Sequence, residues 1–222
     1  MTPSFFEIQC KNTLEGWRLH FAWLKRSKLD YESALRLASE GTTAVFRKKF
    51  ADHLYRDHPI VRAVRQLLKG GGIPEEKGVS AFELLAEKVL GGDDIHLEKP
   101  AVAFRDILSL KTLAPWSVMD VSRVAFPLVF RNGQVGEALE RDGSEFNAYG
   151  LPVLCDQNGV IWSPATLADG NDIVASCDEV LLVCYAPRVL SREVAARSFL
   201  GDMVHMTRAF RFVQEKAFLP MG

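Results

Sequence analysis

The first half of the chain is dominated by apolar positions spaced three and four residues apart, the pattern of amphipathic helices. It predicts helices over 31–40, 60–69, 80–90 and 101–113. Pro59 suits the first position of a helix, where its missing amide hydrogen costs nothing. Ser80 and Glu83 have the spacing of a capping box, which predicts a helix start there. Pro115 ends the last of these helices, because proline disfavours helical geometry at the residue before it.

Two further features of the N-terminal region are open to more than one interpretation. Trp17, Phe21 and Leu24 are spaced by four and three and stand beside basic residues. This spacing predicts the buried stripe of a helix, and the alternative is an aromatic face that stacks on nucleic acid bases. Gly41 is expected to end the helix that begins near Tyr31.

The second half of the chain reads mainly as strands. Short apolar runs bounded by turn residues predict strands over 116–121, 124–131, 135–139, 151–155, 160–162, 173–176 and 179–185. Asn132-Gly133 and the turn at 156–159 each predict a hairpin. The last of the strands, VLLVCY, is apolar enough to be buried on both faces. Helix is expected again over 188–217, so the pattern predicts an α+β fold.

The composition is typical of an ordinary folded domain and argues against several classes of protein. Of 222 residues, 48% are hydrophobic and the formal net charge is −1, which argues against a strongly basic nucleic acid clamp. Four scattered cysteines favour reduced thiols over a disulfide framework, and His53 and His58 lack a metal-ligand pattern. No signal peptide or membrane span is expected, so the predicted location is the cytoplasm, with no cofactor and no metal.

Positive charge is concentrated on one predicted helix. Arg62, Arg65 and Lys69 are spaced by three and four on the polar side of the helix over 60–69. Side chains at this spacing can contact successive phosphates of a nucleic acid. A solvated helix face without a ligand is the alternative.

Taken in order, several segments carry a resemblance to a known family. They are HPIVRAVRQLL, SAFELLAEKVL, DILSLKTLAPWSVMD, the NGQ turn, GSEFNAYGLPVLCDQNGVIW and NDIVASCDEVLLVCYAP. The series is similar to the B3/B4 domain, which occurs in the β subunit of bacterial phenylalanyl-tRNA synthetase and in free-standing proteins. The resemblance covers about residues 58–187 of this chain. Outside it lie an N-terminal helical extension over 1–57 and a C-terminal helical segment over 188–222.

In the synthetase this domain holds the pocket that hydrolyses tyrosine wrongly attached to the phenylalanine tRNA. The resemblance therefore implies a module associated with tRNA or with editing of aminoacyl-tRNA. It also implies a pocket between the B3 and B4 parts. The expected substrate-binding residues are Lys111, Ser117, Asp120, Glu145, Asp172, Ser176 and Cys177, and the expected RNA-binding residues are Arg62, Arg65 and Lys69.

This chain departs from the synthetase at two of these positions. Ser117 stands where the editing histidine would be, while the acid three residues on, Asp120, is kept. Ala175-Ser176-Cys177 stands where the synthetase has an Asp-Glu-Thr run. Asp120 is expected to hold an amino group or order a water, with a simple capping role as the alternative. Cys177 is either a nucleophile or a core residue.

Three hypotheses follow for function. The first is a binding module for tRNA, an aminoacyl-tRNA or a free amino acid, with the basic helix meeting the phosphate backbone. The second is a hydrolase that edits misacylated tRNA. The third is an enzyme that reuses the same scaffold for a small molecule, since a fold does not fix a function. The first is preferred, because the editing histidine is absent.

Overall fold

The computed structural model describes residues 8–27, 31–70, 79–141, 144–165, 177–198 and 200–218. The strands are β1 (Cys10–Asn12), β2 (Trp17–Arg26), β3 (Trp116–Asp120), β4 (Leu128–Asn132), β5 (Ala138–Arg141), β6 (Ser144–Asn147), β7 (Pro152–Asp156), β8 (Gly159–Trp162), β9 (Glu179–Pro187) and β10 (Phe210–Phe218). The helices are α1 (Glu32–Phe50), α2 (Pro59–Lys69), α3 (Ala81–Leu90), α4 (Pro100–Thr112), α5 (Ser191–Ser198) and α6 (Leu200–Thr207). Helices and mixed sheets together confirm the predicted α+β class.

The main sheet has four antiparallel strands in the order β10-β2-β9-β3. Its β9 strand lies between β2 and β3 and is buried along nearly its whole length, as the VLLVCY run predicts. Alternate side chains of β9 point to opposite faces. Leu182 and Cys184 join an apolar cluster with the helices, whereas Leu181, Val183 and Tyr185 join a cluster with the second sheet.

The second sheet has the order β1-β4-β7-β8, with β1 from the N-terminal region and the other three strands from the chain between β3 and β9. In this sheet β1 and β4 are parallel and the other pairs are antiparallel. A separate two-stranded hairpin is formed by β5 and β6. The molecule thus has three layers, with most of the helices on one face of the main sheet and the second sheet on the other, and α2 packs into both apolar clusters.

The helices predicted over 60–69, 80–90 and 101–113 are confirmed as α2, α3 and α4. The His58 side chain accepts a hydrogen bond from the Ile60 amide at the start of α2, next to Pro59. At the start of α3, the Ser80 hydroxyl accepts from the Glu83 amide at 3.3 Å. The Glu83 carboxylate accepts from the Ser80 amide at 3.2 Å, which completes the predicted capping box.

Three predicted elements are wrong. The helix over Trp17–Leu24 is the strand β2, in which Trp17 and Phe21 face the second sheet and Leu24 faces the helices. The first residues, WRLHF, alternate as a strand does, but both faces are buried from Phe21 to Leu24, and there the alternation ends and the aromatic spacing imitates a helix. The helix α1 continues through Gly41 to Phe50, since its apolar stripe does not stop there. The segment 210–217 lies in the strand β10, not in a helix.

The turn at Asn132-Gly133 does not join two paired strands, contrary to the predicted hairpin. Instead, β4 pairs with β1 and β7, with Val129 opposite Cys155. The hairpin predicted at 156–159 is formed by β7 and β8. The strand predicted over 173–176 lies outside the described residues.

The main sheet draws strands from all three predicted segments of the chain. Trp17–Arg26 comes from the N-terminal extension, Trp116–Asp120 and Glu179–Pro187 from the B3/B4-like part, and Phe210–Phe218 from the C-terminal segment. The extensions are therefore built into the same sheet as the middle of the chain. In the part of the chain that the structure describes, no helix combines the length and the apolar content needed to cross a bilayer.

Candidate functional site

Two of the expected binding residues, Asp120 and Cys177, lie close together at the edge of the main sheet, where the chain leaves it and later returns to it. Asp120 is the last residue of β3, and Cys177 lies just before β9, at the return from the second sheet. The Cys177 thiol is within hydrogen-bonding reach of the Asp120 carboxylate, and it lies 3.2 Å from the Glu179 carbonyl oxygen. The sequence separates the two residues widely, and the pairing of β3 with β9 brings them together.

The Asp120 carboxylate is half-buried and also caps a short 3-10 turn. Its Oδ1 accepts hydrogen bonds from the Ser122 amide at 2.9 Å and the Ser122 hydroxyl at 2.7 Å. Burial works against the charged form. The hydrogen bonds from Ser122 and Cys177 and the charge of Arg123 outweigh it, so the pKa of Asp120 lies below its ordinary value. The group is therefore an anion at neutral pH.

The pKa of the neighbouring Cys177 thiol is shifted in the opposite direction, above its ordinary value. Burial, together with the charge and hydrogen bond of Asp120, raises the pKa of Cys177 to about 12. A thiol is a nucleophile only as its thiolate, and Cys177 is protonated at neutral pH. Its side chain is a hydrogen-bond donor here, not an activated nucleophile.

Ser117 lies on the opposite face of β3 from Asp120. Side chains alternate along a strand, so residues three apart point in opposite directions. Ser117 is fully buried between the sheets, where its hydroxyl lies 3.1 Å from the hydroxyl of Tyr185. The structure therefore does not bring Ser117 together with Asp120.

We expect that placing a histidine at position 117 destabilises the protein and creates no editing activity. The imidazole is larger than the serine side chain and would enter a filled core, so Ser117→His should lower the free energy of unfolding by about 2–3 kcal/mol. Urea denaturation measures this loss. Ser117→Ala, which removes only the hydroxyl, should cost about 1 kcal/mol. A stable Ser117→His protein that gains deacylation of mischarged tRNA would contradict the assignment of this face.

The three expected RNA-binding side chains have different surroundings on α2. Arg62 and Lys69 are exposed, and Arg62 makes no ion pair with a described residue. Arg65 instead donates from Nε to Glu83 Oε1 at 2.6 Å, and a second guanidinium nitrogen also pairs with this carboxylate. Glu83 is buried, with 3% of its side chain exposed. Arg65 therefore neutralises a buried acid, whereas Arg62 and Lys69 have exposed side chains.

The basic helix and Asp120 lie toward opposite ends of the main sheet. Leu67 of α2 packs against Gly16, beside the residue that pairs with Pro187. Asp120 pairs with Val180, seven residues earlier on β9. Seven residues of strand span about 24 Å. A single ligand that contacts both places must therefore be much longer than an amino acid.

The remaining expected residues are dispersed. Glu145 is exposed on β6, and Asp172 and Ser176 lie outside the described residues. Lys111, at the end of α4, lines a cavity of about 510 Å³ that Asp120 and Cys177 do not line. We call this cavity the α1–α6 groove. Its walls come from α1 and α6, with Arg197 of α5 beside them, and its floor comes from the end of α4.

Sequence reasoning did not identify the α1–α6 groove. Its helix α1 was expected to stop at Gly41, whereas the groove extends along α1 to Phe50. The apolar periodicity of Leu37 and Val45 was the available signal, but periodicity does not show which apolar positions remain uncovered. No group of three or more potential metal ligands occurs among the described residues. His53 instead contacts Glu87, and His58 contacts Arg197.

No family model matches the chain, and no curated protein matches it either. The chemically informative features are an ionised, half-buried Asp120, a protonated Cys177 and a separate apolar groove with basic residues at its rim.

Proposed function

We propose that the protein is a binding module of B3/B4 type, and that Asp120 holds the ammonium group of an amino acid or of the aminoacyl end of a tRNA. The observation that supports this most directly is the ionised carboxylate at the end of β3, within hydrogen-bonding reach of the Cys177 thiol. A carboxylate has about four acceptor positions. Ser122 and Cys177 account for three, which leaves capacity for a charged donor.

Binding without catalysis fits the surrounding groups better than hydrolysis does. Ester hydrolysis needs an activated water or nucleophile and donors for the developing oxyanion. Cys177 holds its proton at neutral pH, and Ser117 is buried on the other face of β3. No histidine of the described residues hydrogen bonds to Asp120, Ser117 or Cys177.

A tRNA suits the distance between Asp120 and the basic helix better than a free amino acid does. The helix that carries the exposed Arg62 and Lys69 packs at Gly16, near the end of β9 that lies about 24 Å along the strand from the partner of Asp120. Phosphate contacts there would orient a long ligand without reading its sequence. Binding of tRNA should accordingly weaken steeply as salt concentration rises.

The test is the affinity for a non-hydrolysable 3′-aminoacylamino-3′-deoxyadenosine, measured by calorimetry with a panel of amino acids. Asp120→Asn should weaken binding of the preferred compound about 10–100-fold, because a charge-assisted hydrogen bond becomes a neutral one. Asp202→Asn, which removes an exposed acid on α6, is the matched control and should not change the affinity.

Two results would reject this proposal. One is equal affinity of the wild-type and Asp120→Asn proteins for every compound of the panel. The other is deacylation of any mischarged tRNA by the wild-type protein, with loss of that activity in Asp120→Asn. The second result would establish the editing hydrolase in place of the binding module.

A further inference from the structure

A second candidate ligand site is the α1–α6 groove, on the helical side of the molecule. The apolar side chains Leu37, Val45 and Met206 line it while remaining 72%, 66% and 62% exposed. Large apolar side chains this exposed within one patch mark a binding surface more often than an ordinary surface. A volume of about 510 Å³ lies in the range of small-molecule sites.

The charge around the groove is of one sign. Lys49, Lys111 and Arg197 line it, and the described lining residues include no acid. Arg197 is paired with Glu193 at 3.1 Å, whereas Lys49 and Lys111 form no ion pair with a described residue. The groove therefore complements a ligand that is apolar over most of its surface and negatively charged.

Two of the cations lie at one end of the groove. Lys49 is in the last turn of α1, and both Lys49 and Arg197 act electrostatically on His58. The α1 residues that line the opposite end are apolar, namely Ala34, Leu37, Ala38 and Gly41. This arrangement matches a ligand with one charged head and one apolar tail. One end of the groove carries two of the cations, and the α1 lining of the other end carries no charge, so we favour a single-headed ligand over an amphipathic helix.

The length of the apolar stretch sets the size of the ligand. From Leu37 to Lys49, α1 rises about 18 Å. An extended chain advances about 1.2 Å per bond, as a polypeptide does over its three bonds per residue. About fifteen bonds therefore span the stretch. We propose that the α1–α6 groove binds a free long-chain carboxylate of about fourteen to fifteen carbons, counting the C–O bond of the head, with its head at Lys49 and Arg197 and its tail along α1.

Gly41 provides a test that does not endanger the fold. A Cβ added there meets no atom within 4 Å, so a side chain at this position enters the open groove. Leucine also favours a helix interior more than glycine does. Gly41→Leu should therefore fold normally and weaken tetradecanoate binding at least tenfold. Ala44→Leu places the same side chain on an exposed position of α1 that does not line the groove, and should bind as the wild type does.

The head position is tested with two adjacent lysines. Lys49→Gln should weaken tetradecanoate binding about threefold, the effect of one exposed ion pair. Lys48→Gln should have no effect, because Lys48 is exposed and does not line the groove. All titrations are made by calorimetry below the micelle concentration, with dodecyltrimethylammonium as the cationic comparison. Saturable 1:1 binding of tetradecanoate by the wild type, lost in Gly41→Leu, is the expected result.

Three outcomes would overturn the proposal. The first is equal affinity of Gly41→Leu and Ala44→Leu for tetradecanoate. The second is binding of dodecyltrimethylammonium as tight as that of tetradecanoate, because Lys49 and Arg197 would then not favour a negatively charged head group. The third is no binding of tetradecanoate together with binding of an acidic amphipathic peptide, which would assign the groove to a protein partner.

Discussion

Replacing Trp162 with alanine is expected to lower the free energy of unfolding by about 3–5 kcal/mol. The indole is 1% exposed and stacks on Tyr185, with the ring centroids 4.5 Å apart. Tyr185 also packs against Phe130, so the indole joins β8 to β9 and supports a contact between the two sheets. Removing it leaves a cavity that this tightly packed interface cannot close.

The measurement for Trp162→Ala is urea denaturation followed by circular dichroism. Tyr149→Ala is the matched control, because its ring is 62% exposed and its loss should change stability by less than about 0.5 kcal/mol. A Trp162→Ala protein as stable as Tyr149→Ala would mean that the sheets do not pack through this residue.

Replacing Arg65 with methionine is expected to lower the free energy of unfolding by about 2–3 kcal/mol. The substitution leaves the carboxylate of Glu83 buried with only the hydrogen bonds of Ser80, and an unpaired buried charge is costly. Methionine keeps most of the length of the arginine stem, so the loss is chiefly electrostatic. Arg62→Met removes an exposed guanidinium from the same helix and should leave stability nearly unchanged.

The double variant Arg65→Met with Glu83→Gln separates pairing from packing. It should be more stable than the sum of the two single losses, because neither charge is then left without its partner. The same variants distinguish structure from RNA contact. Arg62→Met should weaken tRNA binding without destabilising the fold, and Arg65→Met should do the reverse. Additive losses in the double variant would show that Arg65 does not stabilise the protein through Glu83.

Sequence patterns predicted the elements that local chemistry specifies. Pro59 fixes the start of α2, and the Ser80 and Glu83 pair fixes the start of α3, because each acts within a few residues. β2 carried a weaker local signal. Its first residues, WRLHF, alternate apolar and polar as in a strand, but the buried run that follows does not, and no local pattern shows that β2 pairs with β9 and β10.

The candidate site, too, was predictable where local sequence determines it and not where distant packing does. Asp120 and Cys177 were both expected among the substrate-binding residues, and the pairing of β3 with β9 brings these two together. The opposite orientation of Ser117 was available from the sequence once a strand was assigned, because residues three apart on a strand face opposite ways. The α1–α6 groove could not be predicted from the sequence, because it depends on how α6 packs against α1.

The order of strands in the main sheet has a consequence for how the chain folds. Lys25 of β2 pairs with Glu179 across 154 residues, and Ile8 bonds to Gln214 across 206. A growing polypeptide on the ribosome makes β2 long before either neighbour exists, so an apolar, aromatic-rich strand must wait without partners. Such distant pairing slows folding and leaves that segment exposed to association with other chains. Nascent β2 is thus where a chaperone would be needed most.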